Sequence, residues 1–113
     1  MKFPYKGLVI TAAVLISLAA ISVQGQGQNS SDGAAVFKAK CAMCHGTDGT
    51  GKTPMGQKMN IRDMHSAEIQ KQSDVDLARA IAQGKGKMPA YGKTLSDGQI
   101  KLLVSHVREL SKK

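Results

Sequence analysis

Cys41-Ala42-Met43-Cys44-His45 holds both cysteines of the chain, and a histidine follows the second at once. On a helix, residues three or four apart share a face. Cys41 and Cys44 can therefore reach two points along one side of a flat ligand. His45, four residues after Cys41, offers an imidazole nitrogen on the same side. The C-x-x-C-H spacing is the attachment pattern of c-type haem. Three other chemistries use parts of it. A thiol–disulfide catalyst carries C-x-x-C beside a βαβ unit, and no strand alternation is visible in this chain. Zinc needs a fourth ligand at suitable spacing. A structural disulfide is allowed outside the cytosol, but it leaves the adjoining histidine as coincidence.

The rest of the chain needs such a group. It has 113 residues, enough for one small domain, and is 42% hydrophobic, too apolar for a disordered chain. Trp is absent, and the aromatics are Phe3, Tyr5, Phe37 and Tyr91. So few large side chains exclude a big enzyme with its own deep cleft and argue against an all-β sandwich. Small domains with thin cores rely on a disulfide, a metal or a large buried cofactor.

Upstream of the motif, Lys2 and Lys6 precede an uncharged run, Leu8 to Val23 (LVITAAVLISLAAISV). The run is shorter than the ~20 apolar residues of a membrane-spanning helix. A basic start, an apolar stretch and small residues after it read as a secretory signal peptide over 1–25, with an uncleaved anchor as the alternative. Residues 26–31 (QGQNSS) read as a flexible lead-in and 32–113 as the domain. The expected location is the periplasm or an exported equivalent.

Downstream signals are helical. Ser31 or Asp32 can cap a helix over about Gly33 to Cys44. GTDGTGKTPMG reads as a loop and NIRDMHSAEIQKQ as one or two short helical turns. Ser73 and Asp74 cap a second helix, VDLARAIAQ, which Gly84 ends. Ser96 and Gln99 match a capping box before a last helix whose apolar positions, Ile100, Leu103, Val104, Val107 and Leu110, recur at three and four residues.

A haem iron has a second axial position. Met55, Met59, Met64, His65, Met88 and His106 are its candidates. A methionine ordinarily fills gaps in a core, which suits Met55, Met59 and Met64. Met88 differs in context, Gly84-Lys85-Gly86-Lys87-Met88-Pro89. Pro89 moves Met88 away from helical geometry, and the glycines permit close approach of backbone to a flat ligand. Met88 is the expected ligand, with Met59 behind it.

These residues resemble a class I cytochrome c. The likeness runs through C-A-M-C-H-G at 41–46, S-D-x-x-L at 73–77, I-x-x-G-K-G-K-M-P-x-Y at 81–91, L-S-x-x-Q-I at 95–100 and V-x-x-V-R-x-L at 104–110. It implies an all-α fold of three to five helices around one covalently attached haem c, with the first and last helices crossing. It implies Cys41 and Cys44 as attachment points, His45 and Met88 as iron ligands, and electron transfer rather than catalysis. His106 departs from the pattern, since family members often carry an aromatic there, packed near Phe37.

The function expected is single-electron carriage between membrane or periplasmic redox complexes. The rivals are a small cytochrome subunit of a dehydrogenase or oxidase, and a haem sensor with an open distal site. Lys38, Lys40, Lys52, Lys58, Lys85, Lys87 and Lys93, within a net charge of +8, suggest a basic rim for acidic redox partners such as a membrane oxidase, a quinol-oxidising complex or a dehydrogenase. Nucleic acid, a small-molecule substrate and a stable oligomer are not expected. The carbonyls near Thr53–Pro54 are the expected acceptors for the second His45 ring nitrogen. Arg62 or Lys58 is a candidate for a propionate, and Tyr91 for packing on the haem or closing the distal loop.

Overall fold

Serine and threonine caps mark where the helices of this chain begin. In a computed structural model the described residues are 30–113. The expected signal peptide lies outside them. The helices are α1 (Ser30–Lys40), α2 (Ala42–His45), α3 (Pro54–Lys58), α4 (Ala67–Gln70), α5 (Asp74–Gln83) and α6 (Asp97–Leu110). The amides of Asp76 and Gln99 donate to the hydroxyls of Ser73 and Ser96, and the Gln99 side chain accepts from the Ser96 amide, completing the capping box. No strand occurs among the described residues beyond an isolated bridge between Lys85 and Met88.

The all-α expectation holds, with three local differences. The helix expected over 33–44 is divided: it starts at Ser30 and breaks at Cys41, whose φ of −117° departs from helical values. The loop expected after His45 contains α3, which Thr53 caps by accepting from the Gly56 amide and Pro54 opens from its first turn. Among the described residues there are six helices against the roughly three to five expected, because α2, α3 and α4 are single turns.

The core forms where α1 packs on α6. Gly33 makes the approach possible: a Cβ there would lie 2.5 Å from the Leu102 carbonyl oxygen. One turn on, Phe37 is 2% exposed. The His106 ring lies 4.8 Å from it, so histidine fills the aromatic position at this contact. Phe37, Leu95, Ile100, Leu103 and Leu110 make one buried cluster, and Leu77, Val104 and Val107 make a second beneath α5. Met64 packs on both, as a gap-filling methionine should, whereas Met55 is 39% exposed and fills nothing.

Arg108 joins the far side. Its guanidinium donates to the Gln70 carbonyl at 2.8 Å and to Asp74 Oδ1 at 2.8 Å, and also to the Gln72 carbonyl. Gln70 in turn donates to the Met64 and Val107 carbonyls. The connection from α4 to α5 is thereby held on α6, which places the start of α5.

Candidate functional site

Both thiols and His45 sit on one short turn. The Cys41 amide still donates to the Phe37 carbonyl, and the His45 amide to the Cys41 carbonyl, so the chain keeps a helical course through the break. Gly46, at φ 78°, then stops α2. The turn is buttressed from below. Thr53 Oγ1 donates to the Cys44 carbonyl at 2.8 Å, and the Gly51 amide donates to the His45 carbonyl at 2.7 Å. Gly56 lies so close that a Cβ would come 2.5 Å from the Cys44 carbonyl oxygen and nearer still to that of Gly51. From sequence Thr53 was singled out only for its backbone carbonyl; its hydroxyl, and Gly56, were not. The Thr-Pro pair that opens α3 was the available signal.

Cys41 and Cys44 are both free and half-buried. Burial, with a smaller contribution from Cys44, pushes the Cys41 thiol up to about 11. A thiol–disulfide catalyst requires the opposite shift, because the thiolate is its nucleophile. No group of three His, Cys, Asp or Glu side chains converges as a metal site among the described residues, so the zinc reading lacks its ligands there.

Burial lowers the pKa of His45, which keeps the imidazole neutral. A neutral ring is the form that binds a metal. Its Nδ1 is buried with no hydrogen-bond partner among the described residues. The carbonyls expected near Thr53–Pro54 make no hydrogen bond to it in this structure. A buried unpaired nitrogen costs about 1–3 kcal/mol and marks a position kept for something other than packing.

Met88 is half-buried on the loop after α5. Its amide donates to the Lys85 carbonyl at 3.0 Å, and its own carbonyl accepts from the Lys85 amide, which closes a tight turn. Gly84, at φ 75°, lets the chain leave α5 into this turn. The Tyr91 and Gly92 amides donate back to the Ile81 and Ala82 carbonyls. The Tyr91 hydroxyl reaches the Lys40 carbonyl at 3.2 Å, one residue before Cys41. Burial, and then the two cysteines, raise the Tyr91 pKa and keep this hydroxyl a donor.

The other candidates fall elsewhere. His65 Nδ1 pairs with Asp63 at 2.6 Å, and Arg62 pairs with Glu68 at 2.9 Å on the surface. His106 belongs to the α1–α6 contact. All seven lysines of the expected rim are exposed, and none is ion-paired among the described residues.

Two free thiols, a neutral, half-buried histidine and a methionine on a loop tied to the same turn form a donor set that fits haem c. Comparison with known proteins agrees. Residues 28–107 match the family model described as cytochrome c oxidase, cbb3-type, subunit III. Cytochrome c6 of Synechococcus sp. is 32% identical over 111 residues, covering 94% of this chain and 93% of its own length. The cbb3-type cytochrome c oxidase subunit FixP of Azorhizobium caulinodans is 37% identical over 79 residues, covering 69% of this chain but only 26% of its own length. Among solved structures, the KustC0563 c-type cytochrome is 32% identical with a TM-score of 0.65, covering 70% of this chain and 96% of its own.

Proposed function

This chain belongs to the class I cytochrome c family, and from that we propose that it carries single electrons on one haem c joined to Cys41 and Cys44, with His45 and Met88 as the iron ligands. The observation that carries the reading is the convergence of both free thiols and the neutral, unpaired His45 on one buttressed turn. When bound, the haem supplies a ferrous–ferric couple. Everything else is the work of the chain.

Cys41 and Cys44 supply two thioether attachments, which fasten a large apolar group to a domain short of core. The imidazole of His45 would supply a nitrogen ligand to the iron. The thioether of Met88 is soft and neutral, favours the ferrous state, and so raises the potential relative to two imidazoles. If His45 and Met88 both held the iron, neither side of it would be left for a substrate, which supports carriage over sensing or catalysis. The backbone hydrogen bonds at Met88 and His45 restrain the segments that carry both side chains, which would keep structural change between the two oxidation states small.

The exposed, unpaired lysines support brief encounters with acidic surfaces, which speed association at low salt. Acidic faces of a membrane oxidase, a quinol-oxidising complex or a dehydrogenase are the partners this chemistry favours. The likeness to FixP and to the cbb3-type family model supports a second reading, a cytochrome subunit of an oxidase. Gel filtration distinguishes them: a carrier elutes as a monomer, and a subunit co-purifies with its complex. No helix among the described residues is long and apolar enough to cross a membrane. Export rests on the basic, then apolar, residues 1–25.

The test is the visible spectrum of protein made with haem-attachment machinery. Sharp reduced bands of covalent haem, a weak long-wavelength sulfur-to-iron band in the ferric form, and loss of that band in Met88→Ala are expected. Haem without the band removes Met88 from the iron. Two intact thiols and no haem overturn the whole reading.

A further inference from the structure

We propose that Tyr91 is the positioning residue for Met88: its hydroxyl latches the Met88 loop onto the helix end that leads into Cys41. The inference rests on the axial role given to Met88 above. Within the loop, the hydrogen bonds run only to α5 or between near neighbours. Lys85 and Met88 pair with each other, and the Tyr91 and Gly92 amides return to Ile81 and Ala82. The Tyr91 carbonyl accepts from the Leu95 and Thr94 amides and from Thr94 Oγ1. These bonds fix the loop to α5 and leave its relation to the cysteine turn open. Among the described residues, the Tyr91 hydroxyl makes the one hydrogen bond that crosses that gap, to a carbonyl 51 positions away in sequence.

The acceptor is available for a reason. At the Cys41 break the Cys44 amide turns to the Cys41 carbonyl at 3.2 Å, so it does not cap the Lys40 carbonyl. A helix-end carbonyl without an amide needs another donor. Tyr91 supplies it, and its ring packs on the same buried cluster that receives Cys41. The break that shapes the attachment turn therefore also creates the catch for the opposite loop.

Imidazole added to the ferric holoprotein tests the latch, because it binds the iron only when Met88 lets go. Tyr91→Phe keeps the ring and removes the hydroxyl. Its apparent affinity for imidazole should rise about fivefold, equivalent to about 1 kcal/mol at about 1.4 kcal/mol per tenfold. The long-wavelength ferric band should disappear at correspondingly lower imidazole. Ser66→Ala, which removes the α4 cap far from the latch, is the control for general weakening. It should lower the thermal midpoint and leave imidazole affinity at the wild-type value. Unchanged affinity in Tyr91→Phe, or an equal rise in Ser66→Ala, overturns the latch. A wild-type ferric spectrum without the sulfur band instead overturns the ligand reading beneath it.

Discussion

Gly84→Ala should cost this protein its Met88 geometry, whereas Gly86→Ala, two residues on in the same loop, should not. Both glycines have positive φ, 75° and 58°. At Gly84 the ψ is 167°, a region that is nearly glycine-only and costs another residue about 1–3 kcal/mol. A Cβ there would also sit 2.5 Å from the Met88 carbonyl oxygen and 3.0 Å from Ala90 N and Pro89 C. Contact normally begins near 3.4 Å, so the backbone of the Met88 segment would have to retreat by close to an ångström. Overpacking of that kind costs about 1–3 kcal/mol. At Gly86 nothing lies within 4 Å of the added atom, and only the backbone strain applies. The expected losses are about 3 kcal/mol for Gly84→Ala and about 1 kcal/mol for Gly86→Ala. At about 4–8 °C per kcal/mol for a domain of this size, the thermal midpoints should fall by about 15 °C and about 5 °C. Far-UV circular dichroism of the holoproteins measures this, and the long-wavelength ferric band reports Met88 in parallel. The band should weaken in Gly84→Ala alone. Equal losses in the two variants, or a full-strength band in Gly84→Ala, would refute the reasoning.

Gly33→Ala should destabilise the α1–α6 contact by about 1–2 kcal/mol: the clash with the Leu102 carbonyl exceeds the roughly 1 kcal/mol gained in helix propensity, and thermal unfolding reads the net sign. Arg108→Ala should cost about 2–3 kcal/mol in denaturant titration, because the Gln70 and Gln72 carbonyls lose a charged donor, while Arg108→Lys should recover little of it. Asp74→Asn should cost far less, since that side chain is 75% exposed. Burial, foremost, depresses the pKa of His106, with Lys113 acting the same way and Glu109 against. The folded state therefore favours the neutral ring; its stabilising effect is complete above about pH 6.5 and fades as pH falls through the lower folded value. Between pH 7 and pH 5 the wild type should lose more stability than His106→Phe, which thermal midpoints across that range will show.

What could be read from the sequence was what acts over three or four residues. The Ser73 and Ser96 caps and the apolar spacing of α6 depend on neighbours along the chain, and each stands where expected. The share of the core that α6 supplies also followed, because the period of Ile100, Leu103, Val104, Val107 and Leu110 leaves one face to bury. The leader over 1–25 remains a reading of composition, outside the described residues. Contacts between distant segments were another matter. The break at Cys41 frees the Lys40 carbonyl, which Tyr91 reaches from 51 positions on; the sequence offered Tyr91 for closing the distal loop but no local pattern named its acceptor. The clearance at Gly33 exists only against Leu102, that at Gly84 only against the returning Met88 segment, and Arg108 finds its carbonyls only once α4 and α5 are folded onto α6. Local hydrogen bonding and periodicity are written in the order of residues, whereas close approach and long-range donor–acceptor matching arise when separate elements meet, so the tertiary structure alone decided how the Met88 loop is held to the cysteine turn.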